Sequence, residues 1–183
     1  HETLNKATVG DFIGIRLNNV SYKDVRRGHV LVSQDAAAVV VPNSSSSSIT
    51  TLPAFNVTGE FTALVHILYH PKGIRSGYTP TFHCHMASIP CKVFNILCTI
   101  DADTGKVLQK EPKTLVSGQY ALVQMIPQKP VVVSPFEQCQ AMARFVIRDL
   151  RMVIGHGYVI CTQPCTAFSN KLLINCCTSG TRD

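Results

Sequence analysis

The sequence predicts an all-β protein, and three observations support that prediction. Residues 61–160 contain short apolar runs rich in β-branched residues, such as residues 61–69 and 120–126. Gly and Pro separate these runs at fairly regular intervals, a pattern typical of a β-barrel or a β-sandwich. The same stretch contains no convincing amphipathic helix. A closed barrel would also remove the sheet edges that such apolar strands otherwise expose.

Composition and charge limit the class of protein. The 183 residues are 45% hydrophobic and 15% charged, which indicates a globular chain with one good core. No uninterrupted apolar window approaches about 18 residues, so no membrane span is expected. The formal net charge of +6 permits contact with nucleic-acid phosphates but does not require it. An ordinary basic protein fits the same charge equally well.

Residues 1–32 contain two candidate strands. Residues 12–17 alternate crudely between apolar and polar side chains, and residues 29–32 form a second short apolar run. Two strands do not make a stable domain alone, so this piece is expected to belong to a barrel whose remainder is missing. The first residue is His1 rather than Met, which favours a fragment of a longer protein.

Residues 33–59 differ in composition from both neighbouring stretches. Five consecutive serines at positions 44–48 form a low-complexity run. Runs of this kind are flexible and do not build a packed core, so the sequence predicts a linker or loop insert at 33–59. The boundary between the two β-rich units is expected within it.

The second β-rich unit is predicted to cover residues 60–160. Its turns are expected where Gly permits a positive φ or Pro fixes φ, namely at residues 70–73, 76–80, 103–106 and 127–130. Beyond residue 160 the strand pattern loosens, and residues 161–183 are predicted to be a tail with one apolar patch at 172–174.

The cysteines are predicted to be reduced. No signal peptide precedes the first strand, which argues against an oxidising compartment. Several cysteines stand inside apolar runs, where a free thiol behaves as a small buried hydrophobe. The first four of the eight are expected to be core thiols. The eight are Cys84, Cys91, Cys98, Cys139, Cys161, Cys165, Cys176 and Cys177.

Cys and His side chains offer metal or catalytic candidates that the pattern does not favour. In a strand, His83 and His85 share one face while Cys84 takes the other, so even with Cys91 nearby too few zinc ligands converge. The tail cysteines contain no CxxC pair. A Cys/His nucleophile needs an orienting group and an oxyanion hole, and nothing signals either. The sequence therefore predicts no metal ligand and no catalytic residue, and it has neither common phosphate-binding loop motif.

Three arginines mark a possible phosphate contact. Arg144 and Arg148 share a face if residues 144–148 form a strand, and Arg151 follows a plausible turn at residues 149–150. Cations at a strand end can position a phosphate backbone. A solvated face with an arginine paired to Asp149 explains the same pattern, so both interpretations stay open at this point.

Several motifs occur in the order found in eukaryotic translation elongation factor 1-alpha. Residues 9–11 (VGD) and 19–28 (NVSYKDVRRG) resemble the end of its second domain. The resemblance to its third domain rests on residues 70–71 (HP), 77–80 (GYTP), 84–92 (CHMASIPCK), 104–123, 129–130 and 144–149 (RFVIRD). These motifs cover most of residues 1–32 and 61–160.

The resemblance implies a fold and a function. It implies a six-stranded antiparallel β-barrel like domain 3 of elongation factor Tu at residues 60–160. Residues 1–32 would be the last strands of a truncated domain 2 barrel. The parent would be a cytoplasmic GTPase whose separate domain binds GTP and Mg and which delivers aminoacyl-tRNA to the ribosomal A site. This chain would be no enzyme, would hold no cofactor, and would contact the tRNA T stem, the ribosome and the GTPase domain.

The resemblance also implies candidate site residues. Carried over by motif, the contacts with the T stem fall at His85, Met86, Arg148, Asp149, Leu150 and Arg151. The family usually has Thr where Met86 stands and Gly where Ala143 stands. Two alternatives follow: a protein-binding domain related to release-factor and ribosome-rescue GTPases, or a diverged copy that does not deliver tRNA.

Overall fold

The computed structural model describes residues 3–32 and 57–162, and nearly all regular structure in these ranges is β-strand. Nine strands and one short helix are present within them. The elements are β1 (Val57–Thr58), β2 (Phe61–Ile67), β3 (Thr81–Cys84), β4 (Ala87–Ile100), β5 (Val107–Lys110), β6 (Tyr120–Pro127), β7 (Val131–Val132), α1 (Gln140–Ala143), β8 (Arg144–Asp149) and β9 (Met152–Cys161).

Six of the strands close into an antiparallel barrel. Their order is β3-β8-β9-β2-β6-β4, and β4 pairs back with β3. Thr81 shows the closure, since it lies opposite Arg148 on one side and Pro90 on the other. β5 extends the sheet beyond β4, and β1 pairs separately with β7. The predicted all-β, six-stranded barrel is therefore confirmed, and closure leaves no free edge among the six strands.

The barrel core contains a cluster of three phenylalanines from β2, β3 and β8. The ring centroid of Phe82 lies 5.3 Å from that of Phe61 and 4.7 Å from that of Phe145. All three side chains are at most 3% exposed. Burying an aromatic side chain of this size contributes about 1.5–3 kcal/mol. Because the three strands are distant in sequence, this cluster stabilises the closed barrel rather than any single hairpin.

The cysteine prediction holds for three of the four residues. Cys84, Cys91 and Cys98 are buried free thiols, and Cys139 is free but only partly buried. Burial raises the pKa of Cys91 to about 12, so its thiol stays protonated at neutral pH. The expectation of a core position is wrong for Cys139, which stands partly buried at the N-terminal end of α1.

The two strands predicted in residues 1–32 are absent. Residues 3–32 contain turns but no strand, and their apolar side chains face outward, with Val9 and Phe12 fully exposed. A strand needs ladder hydrogen bonds to a neighbour, and no other strand of the described chain pairs with this piece. One turn does meet the barrel, since a Cβ built on Gly28 would lie 3.2 Å from Ala87.

Parts of the predicted organisation fall outside the described residues. The serine run at 44–48 lies there, as does nearly all of the predicted tail. β1 begins at Val57, and β9 ends at Cys161. Across the described residues, no helix is long and apolar enough to cross a membrane.

Candidate functional site

The six predicted RNA-contacting residues fall into two groups at opposite ends of β8. In the antiparallel β3–β8 pair, His83 lies opposite Val146 and Thr81 lies opposite Arg148. The β3–β4 turn at His85 is therefore beside the start of β8, while the β8–β9 turn follows its end. At about 3.3 Å per residue, the two turns are roughly 20 Å apart along the strand.

The β3–β4 turn is held by a hydrogen bond to α1. His85 has a φ of +50°, the left-handed region, so it lies in the turn and not in β3. The expectation that His83 and His85 share a strand face is wrong because β3 ends at Cys84. His85 Nε2 donates to the carbonyl oxygen of Ala141 at 2.6 Å. The neighbouring Met86 is 57% exposed, so the tip of the turn faces solvent.

The β8–β9 turn brings the other four predicted residues together. The Asp149 carboxylate accepts a hydrogen bond from the Tyr78 hydroxyl at 2.5 Å. Burial is the main reason that the pKa of Tyr78 lies well above its usual value, and this bond is the second reason. The phenol therefore remains a donor. The Arg148 guanidinium donates to the carbonyl oxygen of Arg151 at 3.4 Å. Leu150 is 96% exposed at the tip.

Leu150 carries backbone strain. Its φ is +51°, which costs a residue with a Cβ about 1–2 kcal/mol relative to the right-handed region. His85 adopts the same region in the other turn. Such strain persists where the surrounding structure fixes the backbone, and it often accompanies contact sites. Both candidate turns therefore share a strained, outward-facing residue.

The arginines lie on the outer wall of the barrel, as the strand pattern predicts. Arg144 and Arg148 share the exposed face of β8. Burial is the first cause of the lowered pKa of His83, and the charges of Arg148 and Arg27 are the next. Arg27 is thus close enough to act on the same imidazole. Sequence reasoning missed Arg27 as a site residue because it lies more than 50 residues from β3.

A cavity of about 920 Å³ opens beside the β8–β9 turn. Tyr69, His70 and Pro71 line one side of it, and residues 149–152 line the other. His70 Nδ1 is buried without a hydrogen-bond partner within the described structure. The His70-Pro71 pair predicted only a turn, because its proximity to residues 149–152 depends on barrel closure.

A second cavity, of about 640 Å³, lies on the outer wall across β2, β6, β8 and β9. We call it the histidine groove. Its lining has no carboxylate and consists of Leu64, His66, His83, His85, Tyr120, Phe136, Arg144, Phe145, Val146, His156, Gly157 and Tyr158. The His66 ring stacks on Tyr120 with centroids 4.1 Å apart, and His156 approaches edge-on at 5.2 Å. Burial is the main cause of the lowered pKa of His66, and the charge of the neighbouring His156 is the second cause.

The described residues do not assemble a metal centre. No group of three or more His, Cys, Asp or Glu side chains within 3–32 and 57–162 could hold an ion. Cys84 points into the core at 2% exposure, whereas His83 faces the outer wall and is only half-buried. Cys165, Cys176 and Cys177 lie outside the described residues.

Comparison with known proteins gives one family. The model described as GTP-eEF1A C-terminal domain-like matches residues 60–160. Elongation factor 1-alpha of Stylonychia lemnae is 39% identical over 159 residues, covering 87% of this chain and 32% of the relative. The oocyte form from Xenopus laevis is 37% identical over 172 residues, covering 94% of this chain and 34% of the relative. The chain thus spans about a third of the length of these relatives.

Solved structures agree with that comparison. Sup35 complexed with GDP superposes with a TM-score of 0.56 at 28% identity, covering 60% of this chain and 26% of that one. Sup35 complexed with GMPPNP gives the same TM-score and identity, covering 61% and 27%. The similarity therefore extends from sequence to the arrangement of the barrel.

Proposed function

Because the chain belongs to the GTP-eEF1A C-terminal domain-like family, we propose that it grips the T stem of aminoacyl-tRNA as the C-terminal module of an elongation factor. The observation that carries this proposal is the pair of exposed turns at the two ends of β8. His85 and Met86 form one turn, and residues 150–151 form the other, next to Asp149 at the end of β8. Arg27 and Arg148 both lie near His83 and add positive charge to this surface.

The chemistry of the two turns suits an RNA stem. Double-stranded RNA is recognised through phosphates and 2′-hydroxyl groups rather than through base sequence. Arg151 supplies a cation, and the backbone groups of the two turns supply donors and acceptors. A stem presents phosphates along its length, so sites roughly 20 Å apart along a strand can contact one stem. The grip should be independent of sequence and sensitive to salt.

Binding and hydrolysis of GTP would belong to another part of the parent protein. GTP and Mg would bind in a GTPase domain, and the parent would use GTP to deliver aminoacyl-tRNA to the ribosomal A site in the cytoplasm. The histidine groove supports a contact with that domain, because it is a largely apolar surface on the outside of the barrel. This chain would contribute binding surfaces and no catalytic residue.

A second candidate function is favoured by an apolar patch beside the β8–β9 turn. Three exposed apolar side chains line the cavity beside the β8–β9 turn: Tyr69, Leu150 and Met152. Apolar patches of this kind more often bind proteins than phosphates. A partner protein that takes the place of tRNA, as in release-factor and ribosome-rescue GTPases, would cover them. A diverged copy would bind neither partner.

Binding of residues 1–183 to aminoacyl-tRNA and to an unrelated RNA hairpin across a salt series tests the proposal. We expect preferential, salt-dependent binding to tRNA. Replacing Arg151→Ala should weaken it roughly tenfold or more, since a charged hydrogen bond contributes about 1.5–3 kcal/mol. Lys110→Ala is the matched control, because it removes one charge from β5. Equal binding to both RNAs would contradict the proposal, and no binding by folded protein would favour the protein partner.

A further inference from the structure

The strand register places two histidines side by side on the outer wall of the barrel. His156 on β9 lies directly opposite His66 on β2, and His66 in turn lies directly opposite Tyr120 on β6. On the other side of His156, Val146 on β8 separates it from His83 on β3. Among the histidines of this row, His66 and His156 are therefore the pair on adjacent strands, although they are far apart in sequence.

The spacing of this pair suits a shared metal ion. Directly opposite residues of an antiparallel pair have Cβ atoms about 4.5–5.5 Å apart. Two imidazoles that bind one ion at about 2.0–2.1 Å per nitrogen have ring centroids roughly 4.5–5.2 Å apart, for bonds that meet at a square or tetrahedral angle. The ring centroids of His66 and His156 are 5.2 Å apart. The backbone thus already brings the two imidazoles to the separation that one ion requires.

The orientation of the rings has to change on binding. The two planes meet edge-on at 87°, so the two imidazoles must turn toward each other to direct a nitrogen from each at one point. His156 is exposed, and the torsion that turns an imidazole has broad preferences. The His66 ring packs against Tyr120 on its other neighbouring strand, and a turn toward His156 moves it away from that contact. Side-chain rotation alone can therefore complete the pair.

The surroundings of the pair select a class of ion. Imidazole nitrogens suit Zn²⁺, Cu²⁺ and Ni²⁺, whereas Mg²⁺ and Ca²⁺ require oxygen ligands. The lining of the histidine groove contains neither a carboxylate nor a cysteine. The donors that the groove offers are therefore those of a transition-metal site.

We propose that His66 and His156 form an open binding site for a divalent transition-metal ion on the outer wall of the barrel. Two imidazoles are fewer than the three or four protein ligands of a complete zinc centre, in agreement with the lack of any larger ligand group among residues 3–32 and 57–162. Water fills the remaining positions on the ion. The ion joins β9 to β2 and does not involve the two turns of the candidate RNA contact, so the inference does not depend on the proposed function.

The test adds Ni²⁺, an ion that does not oxidise free thiols, to the full chain. It is run above the ordinary histidine pKa of about 6.5, where imidazoles are neutral and can bind. In side-chain NMR spectra, the imidazole signals of His66 and His156 should broaden at lower Ni²⁺ concentrations than those of the other histidines. The urea midpoint should also rise with the logarithm of the Ni²⁺ concentration, because the pair is assembled only in the folded barrel.

Variants assign the effect to the pair. His66→Gln and His156→Gln should each remove most of the Ni²⁺-dependent rise in the urea midpoint, since either change leaves a single imidazole. His83→Gln is the matched control, because His83 lines the same groove but is separated from His156 by Val146. Each variant is compared with and without Ni²⁺, so a change in its own stability does not enter the comparison.

Three results would overturn the inference. The first is a folded wild-type protein whose urea midpoint does not respond to Ni²⁺. The second is a rise that persists unchanged in His156→Gln, which would place the ion elsewhere. The third is broadening that affects other histidines before His66 and His156. The NMR experiment uses the wild-type chain alone, so it decides the question even if a variant fails to fold.

Discussion

At the residue scale, His66 shows how packing on the outer wall of the barrel lowers the pKa of a side chain. Its imidazole lies parallel to the Tyr120 ring, with an interplanar angle of 4°. The His156 ring packs edge-on against the His66 ring, with centroids 5.2 Å apart. A proton on His66 would lose hydration and face a second imidazole, and both effects disfavour the charged form. Packing and the neighbouring imidazole therefore lower the pKa of the histidine at the centre of the histidine groove.

The lowered pKa of His66 predicts a loss of stability in mild acid. A His whose folded pKa lies below its unfolded value stabilises the fold above about pH 6.5, and this contribution is lost as the pH falls. We expect the free energy of unfolding to drop between about pH 7 and pH 5. His66→Phe keeps a ring against Tyr120 but cannot titrate, so its drop should be smaller.

Urea unfolding at a series of pH values measures this effect. Some pH dependence should remain in His66→Phe, because the pKa of His83 is lowered as well. His29→Gln is the control, since His29 is an exposed residue in the segment that precedes the barrel. Identical pH profiles for wild type and His66→Phe would show that the packing of this ring does not affect its protonation.

At the element scale, two glycines let β9 approach β2. Gly155 lies opposite Ile67, and Gly157 lies opposite Val65. A Cβ built on Gly157 would lie 2.1 Å from the carbonyl oxygen of Leu64. That atom belongs to the backbone and cannot rotate away. Because these glycines admit the close approach, β9 can pair with β2 and β8 at once and complete the barrel.

Gly157→Ala should therefore destabilise the barrel strongly. Overpacking against backbone costs about 1–3 kcal/mol and sometimes more. Gly59→Ala is the matched control, since its added Cβ meets no atom within 4 Å and its φ is not in the left-handed region. Chemical denaturation of both variants measures the difference in free energy of unfolding. Equal effects of the two substitutions would contradict the close-approach argument.

The same scale shows where sequence patterns work and where they fail. The two-residue periodicity of β8 correctly places Arg144 and Arg148 outside and Phe145 inside. The Gly and Pro signals at residues 70–73, 76–80 and 103–106 correctly mark breaks between strands, whereas Pro90 lies within β4 and Gly155 and Gly157 lie within β9. The helix α1 (Gln140–Ala143) has only four residues, too few to show a helical period. The sequence pattern missed this helix for that reason. It therefore also missed the hydrogen bond that His85 donates to Ala141.

For the whole molecule, closure of the barrel decides which parts are stable together. The main core draws buried side chains from all six closing strands. Residues 3–32 contribute no fully buried side chain in the described structure, and their turn at Gly28 meets the barrel only at its surface. The barrel therefore has its own core, which does not depend on the preceding segment.

Removing residues 1–32 should leave the barrel folded. We expect a change in the free energy of unfolding of less than about 1 kcal/mol, as for changes that touch no buried group. Urea unfolding followed by circular dichroism measures it, and one cooperative transition should remain. A matched deletion of residues 152–162 removes β9 and should abolish folding. Loss of cooperativity after the first deletion would contradict an independent barrel.

The sequence by itself determined the all-β class, the strands near residues 61–69, 120–126 and 144–148, the core position of three cysteines and the outward face of the β8 arginines. These features depend on local periodicity and on Gly and Pro, which act over a few residues. Motif order added the six-stranded barrel and the family.

Only the tertiary structure decided the rest. It separated His85 from Arg151 and stacked His66 on Tyr120. It also left residues 3–32 without the predicted strands. The physical reason is the same in each case. Ladder pairing and barrel closure join residues tens of positions apart, and a local pattern carries no information about which strand becomes the neighbour.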